Sequence, residues 1–349
     1  MSKILVAMSG GVDSSVAAAL LKQQGHDVVG VTMKLIDKSA SDAASNRSCC
    51  GYDSSCDAKL VADAIGIPHY VVNAVDIFKG TVIDDFAKEY KAGRTPNPCV
   101  RCNRFVKFDY LMRKADELGC EFLATGHYAK REGNRLYKGA DENKDQAYFL
   151  YVIYDAPIER ILFPLGNKTK DEIRRIAAGL GLVTAQKPES QDICFVENGD
   201  YTAMLEAQSV FPKGPIVDVS GKTLGRHAGI HRYTVGQRKG LGALGQKMFV
   251  KEIRPLDNTV VVGTEDDLWA HEIEVIDVAI AGGYVIDNSI EYNVQVRYRS
   301  KPSKARVFHS GNIFSILLSE PICAIAPGQS AVVYLGDMVV GGGVIKKAE

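Results

Sequence analysis

The sequence predicts an α/β protein: an N-terminal doubly wound parallel sheet, then a small β-rich central domain and a C-terminal β-barrel. Three observations predict this. Strand-like apolar runs alternate with helical patterns up to about residue 200, the order that builds a parallel sheet. Glycines Gly10 and Gly11 sit between the first apolar run and the first helical pattern, where a parallel strand turns into a helix. Past Tyr201 glycines become frequent and short β-branched runs replace the helical patterns, as in small barrels or sandwiches. With 349 residues the chain has room for two or three domains, placed at 1–200, 201–274 and 275–349. No internal repeat is visible.

Ile4 to Met8 reads as a buried strand, and Ser15 to Gln24 as a helix stopped by Gly25. Val28 to Met33 is a second buried strand. Residues 37–52 form a polar, Ser/Ala/Asp-rich loop. Asp53 to Ile65 is helical with Gly66 past its end, and His69 to Asn73 is a strand. Helices are predicted for Ile77 to Ala92 and Phe105 to Leu118, with a strand at Glu121 to Thr125. Thr169 with Glu172 makes a capping box that opens a further helix. In the β-rich half, strands are predicted for 248–253, 259–262, 273–280, 292–298, 305–308 and 331–335.

Lysine plus arginine equal aspartate plus glutamate at 42 each, so the net charge is +0. Their distribution is uneven. No acid occurs from Tyr90 to Phe108, from Val219 to Val250 (which holds Arg238 and Lys239) or from Tyr292 to Ser319, and each stretch carries several bases. Segregated charge of this kind makes basic faces on a neutral protein and points to a polyanionic partner. No stretch approaches the apolar length of a membrane span, and the first apolar run is too short for a signal peptide. The expected compartment is the cytoplasm, where thiols stay reduced. The eight cysteines then suggest chemistry or metal binding before structural disulfides.

Ser9-Gly10-Gly11-Val12-Asp13-Ser14-Ser15 follows a strand and opens a helix. Its glycines permit close approach of backbone to ligand, and the helix start offers N–H groups and the positive dipole end to phosphate. It lacks the Gly-x-x-x-x-Gly-Lys-Ser/Thr spacing of a Walker loop. The string resembles the PP-loop of the N-type ATP pyrophosphatases, which cleave ATP to AMP and pyrophosphate and adenylate an oxygen of the substrate. The loop alone leaves amidation, citrulline condensation, lysidine formation and thiolation open.

Thr95-Pro96-Asn97-Pro98-Cys99-Val100-Arg101-Cys102-Asn103 reads as a rigid basic loop ahead of the helix at Phe105. Thiols near cations and a helix start are reactive as thiolates. Cys194 lies in Ser190-Gln191-Asp192-Ile193-Cys194-Phe195. Cys-x-x-Cys with a distant third cysteine is compatible with a redox pair plus a third thiol, with zinc given a fourth ligand, or with an iron–sulfur cluster leaving one iron open. Cys120 and Cys323 read as core. Cys49, Cys50 and Cys56 have no assigned role.

Taken together, several strings closely resemble the tRNA-specific 2-thiouridylase (MnmA) family. They are the PP-loop, Thr95 to Pro98 with Cys102-Asn103, Ala124 to Tyr128, Lys144-Asp145-Gln146, Leu162 to Gly166, Cys194-Phe195, Tyr233 to Gly240, Arg297 to Arg299 and Pro327 to Gln329, in family order over nearly the whole chain. The resemblance implies ATP on Ala7, Met8, Ser9, Gly10, Gly11, Val12, Asp13 and Ser14, with Met33 and Gly126 near adenine and ribose, and magnesium on the phosphates. It implies tRNA contacts at Asn97, Pro98, Cys99, His127, Lys144, Asp145, Gln146, Arg297, Tyr298 and Gln329. By the same resemblance, Cys102 is the nucleophile, Cys194 carries a persulfide, and the two close a transient disulfide. An upstream cysteine desulfurase or sulfur relay protein would supply the sulfur. Many family members have Asp where this chain has Cys99. That departure puts the general acid/base role in doubt and makes Cys99, Cys102 and Cys194 similar to the ligand set of a [4Fe–4S] cluster in iron–sulfur-dependent tRNA thiolases.

Overall fold

The computed structural model describes every residue except 38–51, 189–192, 197–198 and 243. It divides into two compact units. The first comprises Met1–Val82, Cys99–Glu197 and Asp337–Val339. The second comprises Ile83–Pro98, Asn198–Gly336 and Val340–Glu349.

In chain order the first unit begins with β1 (Lys3–Ala7), α1 (Val12–Gln23), β2 (Asp27–Lys34), α2 (Tyr52–Ile65), β3 (His69–Asn73) and α3 (Val75–Phe78). After Cys99 it adds α6 (Leu111–Glu117), β4 (Phe122–Ala124), the hairpin β5 (Ala129–Glu132) and β6 (Arg135–Lys138), β7 (Ile161–Leu162) and α7 (Lys170–Gly179). The sheet is five-stranded and wholly parallel, in the order β3-β2-β1-β4-β7. β1 is central, and its apolar run Ile4-Leu5-Val6 is fully buried, as a strand covered on both faces requires. Val16, Ala17 and Leu21 of α1, Ala58, Val61 and Ala62 of α2, and Ile173 and Ala177 of α7 pack in one core with β1. The doubly wound sheet expected from the alternation is therefore present.

Two helices differ from expectation. The run expected over Ile77 to Ala92 begins at Val75, passes through a π-helical segment at Lys79–Ile83 and resumes as α4 (Asp84–Lys91). The Cys99–Cys102 segment is not a loop. α5 (Pro98–Arg101) starts there and continues as a π-helix over Cys102–Tyr110 before α6. Pro98 at the first helical position is the physical reason, since its ring fixes a helical φ where no amide hydrogen is needed. The polar segment expected at 37–52 lies almost wholly outside the described residues, with Cys49 and Cys50 in it.

In the second unit, α8 (Tyr201–Gln208) stacks Tyr201 on Tyr90 of α4, with centroids 4.9 Å apart. A four-stranded sheet follows, ordered β10 (Phe249–Arg254), β11 (Thr259–Gly263), β8 (Gly214–Asp218), β9 (Thr223–His227). Ile216, Ile230, Tyr233, Val250, Val260 and Val262 form its core. The remaining strands are β12 (Trp269–Ile280), β13 (Tyr292–Gln295), β14 (Ser303–Ser310), β15 (Ile313–Cys323), β16 (Ser330–Leu335) and β17 (Met338–Ala348). They run β12-β15-β14-β13-β16-β17, and β17 pairs back onto β12, so the barrel expected for this half closes with six strands. The strand expected over 292–298 ends at Gln295, which leaves Arg297 and Tyr298 in the following turn.

Candidate active site

In a doubly wound sheet, ligands bind beyond the carboxyl ends of strands where the chain reverses its direction of winding. Here that point lies between β1 and β4, because β2 and β3 extend the sheet one way and β4 and β7 the other. Three expected nucleotide contacts gather at this edge: residues 8–14 after β1, Met33 near the end of β2 and Gly126 after β4. Gly126 has no room for a side chain. A Cβ there would stand 2.7 Å from Ser14 N and 2.9 Å from Asp13 C. Gly10 takes a left-handed φ of +68°, and a Cβ on it would lie 2.1 Å from Ser54 O. Glycine is therefore required at both positions, and backbone closes tightly around the loop.

The loop's hydroxyls are partly spent on its own shape. Ser14 Oγ accepts from Ser9 N at 3.1 Å and donates to Gly11 O at 3.2 Å, and Ser15 Oγ donates to Gly11 O at 2.8 Å. Thr32 Oγ1 donates to Met8 O at 2.7 Å, tying the end of β1 to β2. Gly11 caps α1 without a side-chain hydrogen bond, so the first-turn amides of that helix stay directed outward.

Asp13, in the first turn of α1, is held by two partners from outside the loop. Lys170 Nζ donates to both of its carboxylate oxygens, at 2.7 and 2.8 Å, and Tyr128 OH donates to Oδ1 at 2.6 Å. Lys170 is buried and sits in the first turn of α7, whose N-terminus carries the capping box expected between Thr169 and Glu172. A second lysine, Lys187, donates to Gly10 O at 2.9 Å and to Asp57 Oδ2. Neither lysine was visible as a site residue in the sequence. Their contacts to Asp13, Gly10 and Asp57 join positions 157, 177 and 130 residues apart, and no spacing rule signals such pairs.

His127 follows Gly126. Lys107 Nζ donates to its Nε2 at 3.3 Å, and its Nδ1 lies 2.8 Å from Thr125 Oγ1. An ammonium has only protons to give, so Nε2 is the acceptor and Nδ1 carries the hydrogen. Burial first, then the nearby Lys107 charge, holds the imidazole well below its ordinary pKa and hence neutral. Gln146 accepts from Tyr128 N through Oε1, and Asp145 accepts from Gly139 N and Ala147 N. Burial raises the Asp145 carboxyl despite those two amides. These side chains brace the turn that carries Lys144.

Cys102 is buried on the π-helical segment, Cys99 is exposed one turn earlier and Cys194 is half-buried. π-helical turns are frequent at functional positions. Phe195, next to Cys194, packs edge-on against Phe78 at 5.7 Å. Arg101 and Arg104 both lie over the Phe105 ring, at 5.0 and 5.5 Å, placing two cations within a helical turn of Cys102 in sequence. Asn103 is buried, donates to Phe149 O and leaves its Oδ1 without a partner among the described residues. Among the described residues no three His, Cys, Asp or Glu side chains are grouped to hold a metal ion. Burial raises the thiol pKa of Cys120, as expected for core.

The second unit presents the other expected contacts. Gln329 Nε2 donates to the carbonyls of Thr95 and Pro96, holding the chain just before Asn97 and Pro98. Gln237 folds the turn at 234–240 by accepting from Thr234 N and donating to the carbonyls of Arg232 and Lys239. Arg238 and Lys239 are left exposed. Arg297 donates to Ala324 O, and Arg299 covers the Tyr298 ring. No helix among the described residues is long and apolar enough to cross a membrane.

Comparison with known proteins covers the whole chain. Residues 2–198 match the family model described as tRNA methyl transferase HUP domain, residues 203–264 its PRC-barrel domain, and residues 266–345 an aminomethyltransferase beta-barrel domain. The chain is 44% identical over 357 residues to the tRNA-specific 2-thiouridylase MnmA of Clostridioides difficile (strain 630), covering 99% of this chain and 98% of that one. It is 45% identical over 359 residues to the protein of that name from Carboxydothermus hydrogenoformans, with 99% and 98% covered. With the one from Geobacter metallireducens it shares 46% over 358 residues, with 99% and 97% covered.

Proposed function

The chain belongs to the tRNA-specific 2-thiouridylase family, and from that premise we propose that it thiolates C2 of the wobble uridine of tRNA at the expense of ATP. The observation that carries the reading is the phosphate loop at the switch point of the sheet, closed by Gly126 and followed in sequence by the cysteine-bearing helix.

C2 of uracil bears an oxygen that leaves poorly. ATP converts it into a leaving group. The uracil oxygen attacks the α-phosphorus, pyrophosphate departs, and sulfur then attacks C2 and expels AMP. The α1 amides and the loop glycines receive the phosphates, and Mg2+ would neutralise their charge. The base must leave the anticodon stack to reach this edge of the sheet. Cys194 is assigned the persulfide. Attack of the Cys102 thiolate on the Cys194 sulfur releases hydrosulfide and forms the Cys102–Cys194 disulfide, which an external thiol then reduces. The sulfur comes from a cysteine desulfurase or a relay protein. The exposed Arg238 and Lys239 and the Arg297–Tyr298 turn are assigned to the tRNA backbone.

Cys99 favours a second sulfur route, in which Cys99, Cys102 and Cys194 would hold a [4Fe–4S] cluster that would supply a binding site for sulfide. No step is assigned to a cluster.

The test is tRNA-dependent AMP formation together with 2-thiouridine measured by nucleoside mass spectrometry after incubation with ATP, Mg2+ and a sulfide source. AMP release that follows an added amino acid and ignores tRNA would overturn the proposal in favour of an amidotransferase-type or lysidine-forming synthetase.

A further inference from the structure

The phosphate loop contains no cation of its own. From Met8 to Ser15 its charged residue is Asp13, whereas a Walker loop carries a lysine for the phosphates. A nucleotide triphosphate needs positive charge beyond the amide dipoles. Two ammonium groups touch the loop. Lys170 is buried and committed to Asp13, both of whose oxygens it occupies. It offsets the loop's negative charge.

Lys187 is placed differently. Its side chain is 30% exposed, and its ammonium stands on the carbonyl of Gly10, at the turn of the loop. Its other partner is Asp57, on the first turns of α2. An ammonium has three donors. The contacts to Gly10 and Asp57 use two, and the third finds no partner among the described residues. The backbone beneath it is fixed, because Arg174 of α7 donates to Ala185 O at 2.9 Å and Lys187 N donates to Thr184 O at 3.1 Å. The charge is therefore held against the Gly10 carbonyl on a braced segment, with one N–H unassigned among the described residues.

We infer that Lys187 is the phosphate-binding cation of this site, contributed from outside the loop, and that Asp57 is the counterion that shares it until phosphate arrives. This rests on the ATP-dependent reading above and adds to it the residue that receives the charge of the polyphosphate.

The experiment is calorimetric binding of Mg2+-pyrophosphate, Mg2+-ATP and adenosine to the full chain and to three variants. Lys187→Met is expected to weaken pyrophosphate and ATP by about tenfold to a hundredfold, the range for one lost charge-assisted hydrogen bond, while adenosine binding stays unchanged. Lys187→Arg should recover part of the loss. Asp57→Asn should bind pyrophosphate a few-fold tighter, because the ammonium is no longer shared. Equal weakening of adenosine by Lys187→Met, or weaker pyrophosphate binding in Asp57→Asn, would mean that Lys187 only braces the loop and would overturn the inference. A wild-type chain that binds pyrophosphate as described but forms no 2-thiouridine would refute the proposed function and leave the assignment of Lys187 standing.

Discussion

Gly126→Ala separates the geometry of the nucleotide site from the chemistry around it. The added methyl would sit 2.7 Å from Ser14 N and 2.9 Å from Asp13 C, whereas ordinary van der Waals contact begins near 3.4 Å. The neighbours are backbone and cannot rotate away. The loop after β4 and the start of α1 must therefore part by about 0.7 Å, a displacement approaching the 1 Å that can cost on the order of a hundredfold in rate. Overpacking of this kind costs about 1–3 kcal/mol of stability. We expect kcat/KM for ATP to fall about tenfold to a hundredfold, with tRNA affinity unchanged. Gly179→Ala is the control. It ends α7, has open space around a Cβ and needs no left-handed φ, so activity should hold and stability should rise by up to about 1 kcal/mol. The assay is initial-rate AMP formation against ATP concentration, with a denaturant melt of each variant. Wild-type ATP kinetics in Gly126→Ala would refute the claim that this contact sets the position of the loop.

Lys170→Met should leave Asp13 without its cation and cost about 2–3 kcal/mol, the lower part of the range for a broken buried pair because Asp13 is about a third exposed; adding Asp13→Asn should recover part of the loss in urea denaturation. Replacing Arg238 and Lys239 together with Ala should weaken tRNA binding and flatten the slope of log K against log salt by about 1.4–1.8, since each phosphate contact contributes about 0.7–0.9; an unchanged slope removes both residues from the interface. His127 resists protonation in the folded state. Below the ordinary His pKa of about 6.5 the unfolded chain takes up a proton that the folded His127 refuses, so its contribution to stability falls as pH drops and is constant above that value. His127→Gln should flatten this acid limb of the denaturation midpoint. Cys102→Ser or Cys194→Ser should abolish 2-thiouridine with tRNA affinity kept. Iron and acid-labile sulfide on anaerobically purified protein then choose the sulfur route: about four irons, lost in Cys99→Ala, mark the cluster, and none after reconstitution leaves the persulfide.

The parallel sheet was legible because β1 and β2 are covered on both faces and read as unbroken apolar runs. The capping box of α7 was legible because its two residues act within one turn. Other elements left weaker marks. The hairpin β5–β6 is short and mostly polar, with Leu136 as its fully buried anchor in β6. β17 is rich in glycine, which argues against a strand in sequence. In the fold, Cβ atoms on Gly341 and Gly343 would lie 2.5 Å from the carbonyls of Ala279 and Ile276, so the close approach of β12 demands them. The same division holds at the site. The loop glycines and cysteines form local strings, whereas the pairing of Lys170 with Asp13 and of Lys187 with Gly10 exists only once the chain has folded. The helix at Pro98 could have been read from proline's preference for a first helical position, had the two prolines not suggested a loop.

The closure of the barrel has a consequence for synthesis. β12 is completed on one side by β15 and on the other by β17, so the ring shuts with residues 338–348. A ribosome adding about 5–20 residues per second exposes β12 and its unpaired edge for several seconds before that last strand appears. Residues Asp337–Val339 likewise belong to the first unit, where Met338 and Val339 pair with Tyr137 and Leu136. Neither unit is whole until residues 337–348 have been made. Stalling there would release a nascent protein with open strand edges, the kind of surface that recruits chaperones or joins to a second copy.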